Sequence, residues 1–343
     1  MNQVRGRLRF HHVAWGLLFY NLAVIVWGAY VRASKSGDGC GTHWPSCGGE
    51  LVPTTGHIPT WIEYAHRIST SVLVPIIIGL LIWASREFGP KSAHPNRHVI
   101  KGMWTVLGFT LLEGAIGAML VKFGLVANNS STMRAFVLST HLASTFLLLA
   151  ALAVTALWSG GVAPMRWRDL IGSGAGKLGW SLFAALAATM VLGVSGAVTA
   201  LGDTLYPSTS LMHGIQQDLS PTSHLLIRLR VWHPFIAIAV SVGLLLVAAQ
   251  AKRENPSPLT NRFALALPIW FAAQLAGGLL NLVMLAPIWM QLIHLLMADI
   301  GWLALVGLTA SALSARSWEQ EQEMPLLKRE VASRWPVKYQ STL

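Results

Sequence analysis

The sequence predicts an all-α integral membrane protein whose eight transmembrane helices form two pseudo-symmetric four-helix bundles, with both termini cytoplasmic. Three observations carry this expectation. Of 343 residues, 53% are hydrophobic and only 11% charged, whereas soluble domains carry about 25% charged residues. Apolar runs long enough for a bilayer core of roughly 30 Å, which takes about 20 helical residues, recur eight times. The later four runs repeat the histidine and glycine positions of the first four.

The first run, Val13 to Val31, follows Arg5, Arg7 and Arg9 in the manner of a signal peptide. Its length, and its continuation into VRASKSG without a small-x-small cleavage site, make it helix 1 instead. Helix 2 spans Trp61 to Ser85 and opens with WIEYAHRIST; helix 3 runs from Gly102 to Val121 and helix 4 from Ala135 to Trp158. Residues 1–160 thus form an N-terminal bundle. Residues 161–177, rich in Gly and small side chains, read as a linker, and GSGAGK within them lacks the spacing and preceding strand of a phosphate loop. A second bundle over residues 178–315 contains helix 5 (Leu178 to Ala200), helix 6 (Val231 to Gln250), helix 7 (Phe263 to Met284) and helix 8 (Trp289 to Leu313). The polar remainder, 316–343, is expected to be a partly disordered cytoplasmic tail.

Charge sets the orientation. One side of the predicted membrane holds only Arg32, Lys35, Arg67, Lys122, Arg134, Arg228 and Arg230, and every other Lys and Arg falls on the opposite side or in the termini, which are therefore cytoplasmic. The net charge of +11 is scattered between apolar runs, with no single basic face for nucleic acid. Cys40 and Cys47, the only cysteines, share the first outer loop, in an oxidising space. They are close enough for one bridge, either a structural staple or a redox-active pair; with His43 they offer three metal ligands and no clear fourth.

The two halves read as a repeat. Helix 1 ends GAYVRAS from Gly28 and helix 5 ends GAVTALG from Gly196, and His66 and His233 follow at almost the same distance. Helices 3 and 7 carry LEGAIGAM and QLAGGLLN, whose small residues let helix backbones approach closely. His66, His141, His233 and His294 each lie a few residues inside the outer end of helices 2, 4, 6 and 8. Two imidazoles facing each other across a four-helix bundle are how such bundles hold a haem. The simpler alternative is a set of interhelical hydrogen bonds, which does not require four histidines at one depth, two in each half.

Arg67 and Arg230 lie within a helical turn of His66 and His233, placed to pair with haem propionates or to reach lipid headgroups. Glu63 stands one turn before His66, while Arg230 occupies the corresponding position before His233, so only the first half has a carboxylate there. It can relay a proton or stabilise a developing cation, or simply pair with Arg67.

In order along the chain, GCGTHWPSC, EYAHR, VKFGL, the helix 4 histidine, RLRVWHP and QLIHLLMA resemble the haem A synthase family over nearly all of residues 13–313. The resemblance implies oxidation of a methyl group of haem O to a formyl group, with haem O as substrate between His66 and His141. It further implies a resident haem b on His233 and His294, Glu63 as catalytic acid, and a thiol or disulfide role for Cys40 and Cys47. Its implied setting is a bacterial inner membrane, with haem O synthase and an electron acceptor as partners; association of copies is left open. Glu113 departs from the pattern by standing where the Gln supplied by Gln274 is expected, and the loop from Gly202 to Arg230 has no second cysteine pair. The competing reading is a di-haem b membrane cytochrome moving electrons between a quinol and a partner on the same histidines. A third, a haem transporter or assembly chaperone, requires no turnover.

Overall fold

The computed structural model describes residues 9–54, 56–165 and 176–334, with side chains as far as Ser314. Among the described residues all regular elements are helical: α1 (Phe10–Ala33), α2 (Ile58–Glu87), α3 (Arg97–Lys122), α4 (Thr132–Ser159), α5 (Gly176–Leu205), α6 (Leu211–Leu219), α7 (Leu225–Arg230), α8 (Trp232–Glu254), α9 (Pro258–Val283) and α10 (Ile288–Arg334). Eight spans are long and apolar enough to cross a membrane, with α7 and α8 together supplying one of them. This is a multi-pass membrane protein. A helix satisfies its own backbone polar groups, which hydrocarbon cannot do.

Local chemistry sets the helix starts. Asn96, Ser131 and Ser257 accept hydrogen bonds from the first-turn backbone N–H groups of α3, α4 and α9. A proline stands in the first turn of α2 and of α9, where its missing N–H costs nothing.

The buried apolar side chains divide into two clusters. One draws on α1, α2, α3 and α4 and takes in Trp302 and Val306 of α10. The other is built from α5, α8, α9 and α10. Contacts of α4 with α5, and of α10 with α1 and α4, close the seam between them. Trp302 Nε1 donates to the Phe146 carbonyl at 2.7 Å, and the two rings stack with centroids 4.9 Å apart. At the α1 C-terminal end of the seam, Arg32 donates to the Ala200 carbonyl (2.8 Å) and Thr204 Oγ1 (2.7 Å) of α5 and to Gln291 Oε1 (3.1 Å) of α10. Large apolar side chains such as Phe19, Ile269 and Leu246 point outward, as a lipid-facing surface requires.

The structure departs from the sequence reading in three places. Helix 6 begins before Val231 and breaks there into α7 and α8, because Pro234 has no N–H and its ring crowds the carbonyl of Arg230. The loop from Gly202 to Arg230 folds a further helix, α6, whose N-terminus is capped by Ser210. The last helix runs on to Arg334, into the stretch read from sequence as a tail: Ala, Glu, Gln, Leu, Lys and Arg, which dominate it, are good helix formers. Most of the expected linker, residues 166–175, and the end of the chain from 335 lie outside the described residues.

Candidate functional site

His66 of α2 rests against α1 at Gly28. A Cβ there would lie 2.9 Å from the imidazole Cε1, so only glycine leaves room for the ring. His233 of α8 lies against α5 at Gly196 in the same way, where a Cβ would come within 3.1 Å of its Cε1. His294 of α10 packs on Gly278 of α9, where the corresponding distance is 3.1 Å. Gly278, read from sequence as a helix-packing position, is thus an imidazole cradle, as are Gly28 and Gly196, read there as repeat positions.

The four rings are neighbours in two pairs. His66 is close enough to His141 to interact with it electrostatically, and His233 is likewise close to His294. What stands behind each ring differs. The Ser195 hydroxyl lies 2.8 Å from His233 Nδ1. Glu113 Oε2 lies 2.9 Å from His141 Nδ1, a close approach of charge and ring whose alignment falls short of a directed hydrogen bond. His66 Nδ1 and His294 Nδ1 are buried without a partner. Gln274 Nε2 donates to the His294 carbonyl at 3.0 Å. Among the described residues, no group of three or more His, Cys, Asp or Glu side chains is placed to hold a metal ion. Cys40, His43 and Cys47 therefore form no such cluster. Paired imidazoles suit a metal whose other ligands arrive with it, as in a haem.

Glu63, 3% exposed, turns toward the outer loop. Its Oε2 accepts the Cys40 backbone N–H at 2.8 Å, and its Oε1 accepts Arg67 Nε at 3.1 Å and Nη2 at 2.5 Å. Arg67 Nη1 also donates to the carbonyls of His43 and Ser46, each at 2.6 Å. The pair thus clamps the loop between Cys40 and Cys47 onto the start of α2. The two sulfurs are at bonding distance and their Cα atoms are 4.5 Å apart. A Cβ at Gly39 would stand 2.6 Å from Thr60 N, so the loop touches α2 backbone to backbone.

Arg230 clamps the other outer loop. It pairs with Asp218 of α6 and with Asp203 at the end of α5 (3.2 Å), and its Nη2 donates to Ser208 Oγ (3.3 Å) and Gln217 Oε1 (3.2 Å). Both arginines read from sequence as propionate partners are thus engaged by carboxylates and loop groups. The sequence reading missed these loop partners, which lie far along the chain. It also missed Arg134, which holds the carbonyls of Ala127 and Asn129 at 2.7 Å each. Asp299 was missed too: it is wholly buried in α10 with neither carboxylate oxygen partnered. An ionisable residue within a predicted span was the signal available for it.

Comparison with known proteins agrees with this arrangement. Residues 11–306 match the family model COX15-CtaA, described as cytochrome oxidase assembly protein. A "Protoheme IX farnesyltransferase" of Thermus thermophilus is 45% identical over 300 residues, covering 88% of this chain and 48% of that protein. The chain therefore spans about half the length of that relative. A "Heme A synthase" of Halalkalibacterium halodurans is 42% identical over 101 residues, 29% of this chain and 32% of the relative. One from Lysinibacillus sphaericus is 29% identical over 136 residues, 40% of each chain. With the family match running from α1 into α10 and taking in all four paired histidines, this chain belongs to the COX15-CtaA family of cytochrome oxidase assembly proteins.

Proposed function

We propose that this protein is a haem A synthase of a bacterial inner membrane, oxidising a methyl group of haem O to a formyl group. The observation that carries the proposal is that the imidazoles are neighbours in two pairs, His66 with His141 and His233 with His294, three of the rings seated against a helix backbone at a glycine. In this reading each half is a four-helix bundle, related to the other by a repeat. The N-terminal pair presents haem O and the C-terminal pair holds a resident haem b. The residues fit the group: the Ser195 hydroxyl holds His233 Nδ1 and the Glu113 carboxylate lies 2.9 Å from His141 Nδ1, which would leave Nε2 of those rings to face iron, and His66 and His294 are rings with an unpartnered buried Nδ1. When bound, the haem iron supplies the redox chemistry. The chain supplies orientation, exclusion of water and fixed charge.

Glu63 is the carboxylate assigned to the reaction. Arg67 and the Cys40 N–H hold both of its oxygens, so its charge cannot reorient, and a preorganised anion near a developing cation stabilises the transition state without further rearrangement. Arg67 and Arg230 act first on their loops, and propionates would share guanidiniums already held there. Cys40 and Cys47 form a disulfide on the outer face. The Thermus relative, named a farnesyltransferase and about twice as long as the stretch it shares with this chain, supports a partnership with haem O synthase.

The engagement of Glu63 by the loop suits a di-haem cytochrome equally well, so pigment chemistry must separate the two. The test extracts and chromatographs the haems of cells expressing the protein with and without a haem O source. Haem A or its hydroxylated precursor, appearing only when both are present, is the expected result. Unmodified haem alone would leave the cytochrome.

A further inference from the structure

We infer that Glu113 is a positioning residue for His141, making the N-terminal histidine pair more electron-donating to iron than the C-terminal pair. This rests on the haem reading above and deepens it. Glu113 is held from three directions. Ser144 Oγ donates to its Oε1, Thr145 Oγ1 donates to its Oε2 at 2.8 Å, and His141 Nδ1 lies 2.9 Å from that same Oε2. Both hydroxyls are also within reach of the His141 carbonyl, at 3.0 and 2.8 Å. Each has one proton to give, and the charged acceptor is the stronger one, so the proton belongs to Glu113.

Behind His294 this arrangement is absent: Gln274 Nε2 lies 3.4 Å from the ring's Nε2, and in the same half a hydroxyl, that of Ser195, stands at His233 Nδ1. Glu113 lies four residues before Gly117, and at the same register before Gly278 stands Gln274, an uncharged amide. The residues three and four after His141 are Ser144 and Thr145; those three and four after His294 are Met297 and Ala298, which have no hydroxyl. Gln274 donates to the His294 carbonyl and leaves His294 Nδ1 buried without a partner. An acid and the two hydroxyls that seat it therefore occur together behind one ring, and none of the three occurs behind its counterpart.

A carboxylate close to Nδ1 favours the tautomer that carries its proton there, directs the Nε2 lone pair outward and makes the ring a stronger electron donor to a metal. A more strongly donating axial ligand favours the oxidised iron and lowers its midpoint potential. The carboxylate backing lies in the half assigned to the substrate, where iron has to sustain oxidising chemistry. The amide-backed half is left to pass electrons.

The experiment is a spectroelectrochemical redox titration of purified protein with both halves loaded with added haemin. Removing a partner behind a metal-bound histidine changes affinity or activity by about 10- to 100-fold. Glu113→Gln is therefore expected to shift one of the two potentials positive by about a tenfold change in the oxidised-to-reduced ratio, ~59 mV for one electron. The other potential should stay fixed. Glu113→Asp should restore part of the shift, and Ser144→Ala with Thr145→Val, which unseats the acid but leaves its charge, should move the same potential in the same direction by less. A purely structural role would leave both potentials in place or move them together, and either result overturns the inference alone. Wild-type protein that binds no haem at either pair overturns the functional reading, and this inference with it.

Discussion

Gly28 and Gly196 set where two of the imidazoles can lie. A Cβ would stand 2.9 Å from the His66 ring, forcing a shift, and 3.1 Å from the His233 ring, a tight contact, and the helix backbone behind each glycine cannot easily retreat. Gly28→Val is therefore expected to remove the haem absorption of the N-terminal half and leave the other, while Gly196→Val does the reverse. Optical spectra of the two purified variants check this, and loss of both signals from either single change would mean the sites are not separable. Glu63→Gln keeps the size of the side chain and most of its hydrogen bonding but removes the charge. Haem binding should persist while conversion of haem O falls by about 10²- to 10³-fold, the usual cost of losing one preorganised electrostatic group. If the variant made haem A at the unmodified rate, Glu63 would be only the loop clamp seen with Arg67 and Cys40. The histidines were legible in the sequence because an ionisable residue stands out against an apolar run. The carboxylate behind His141 showed in sequence only as a departure from a family pattern, since nothing along the chain says that Ser144 and Thr145 turn toward Glu113.

At the scale of elements, the helices were readable from hydropathy alone, because lipid demands unbroken apolar runs. The outer loops were not, since their order comes from contacts between residues far apart in the chain. Arg67 bonds to His43 and Ser46, and Arg230 to Asp203, Ser208 and Asp218, in segments with no hydropathy period. The break at Val231 was within reach from Pro234, whereas α6 was hidden in a stretch too short and too polar to count as a span. Each loop thus has one arginine as its fastener, Arg67 half-buried and Arg230 buried. For the first loop the cysteines add a second. Protein isolated from an oxidising compartment and alkylated without reductant should show neither Cys40 nor Cys47 modified by mass spectrometry, and both should be modified after reduction. Two alkylated thiols without prior reduction would remove the bridge and leave Glu63 and Arg67, with the Thr60 hydroxyl on the Gly39 carbonyl, to clamp that loop.

At the scale of the whole molecule, the question is what keeps the two halves in register, since the apolar core divides into two clusters and, among the buried residues, only Trp302 and Val306 carry the first of them into α10. Apolar packing across the seam offers little selectivity in a membrane, where lipid tails compete equally well for apolar surface. Directional polar contacts are what fix one arrangement there. Among the described residues two are present: Trp302 on the Phe146 carbonyl in the buried interior, and Arg32 at the end of α1, where one guanidinium joins α1 to Ala200 and Thr204 of α5 and to Gln291 of α10. A hydrogen bond to a charged group contributes about 1.5–3 kcal/mol. Arg32→Leu should therefore lower the thermal midpoint of the haem-loaded protein measurably. It should leave both haem spectra unchanged, because Arg32 contacts the seam and neither ring pair. Electron exchange between the halves, followed as the rate at which one haem is reduced through the other, is expected to slow as the seam loosens. Loss of a haem signal in Arg32→Leu would instead place this arginine within a cofactor site, and an unchanged midpoint would show that the seam is held by Trp302 and packing alone.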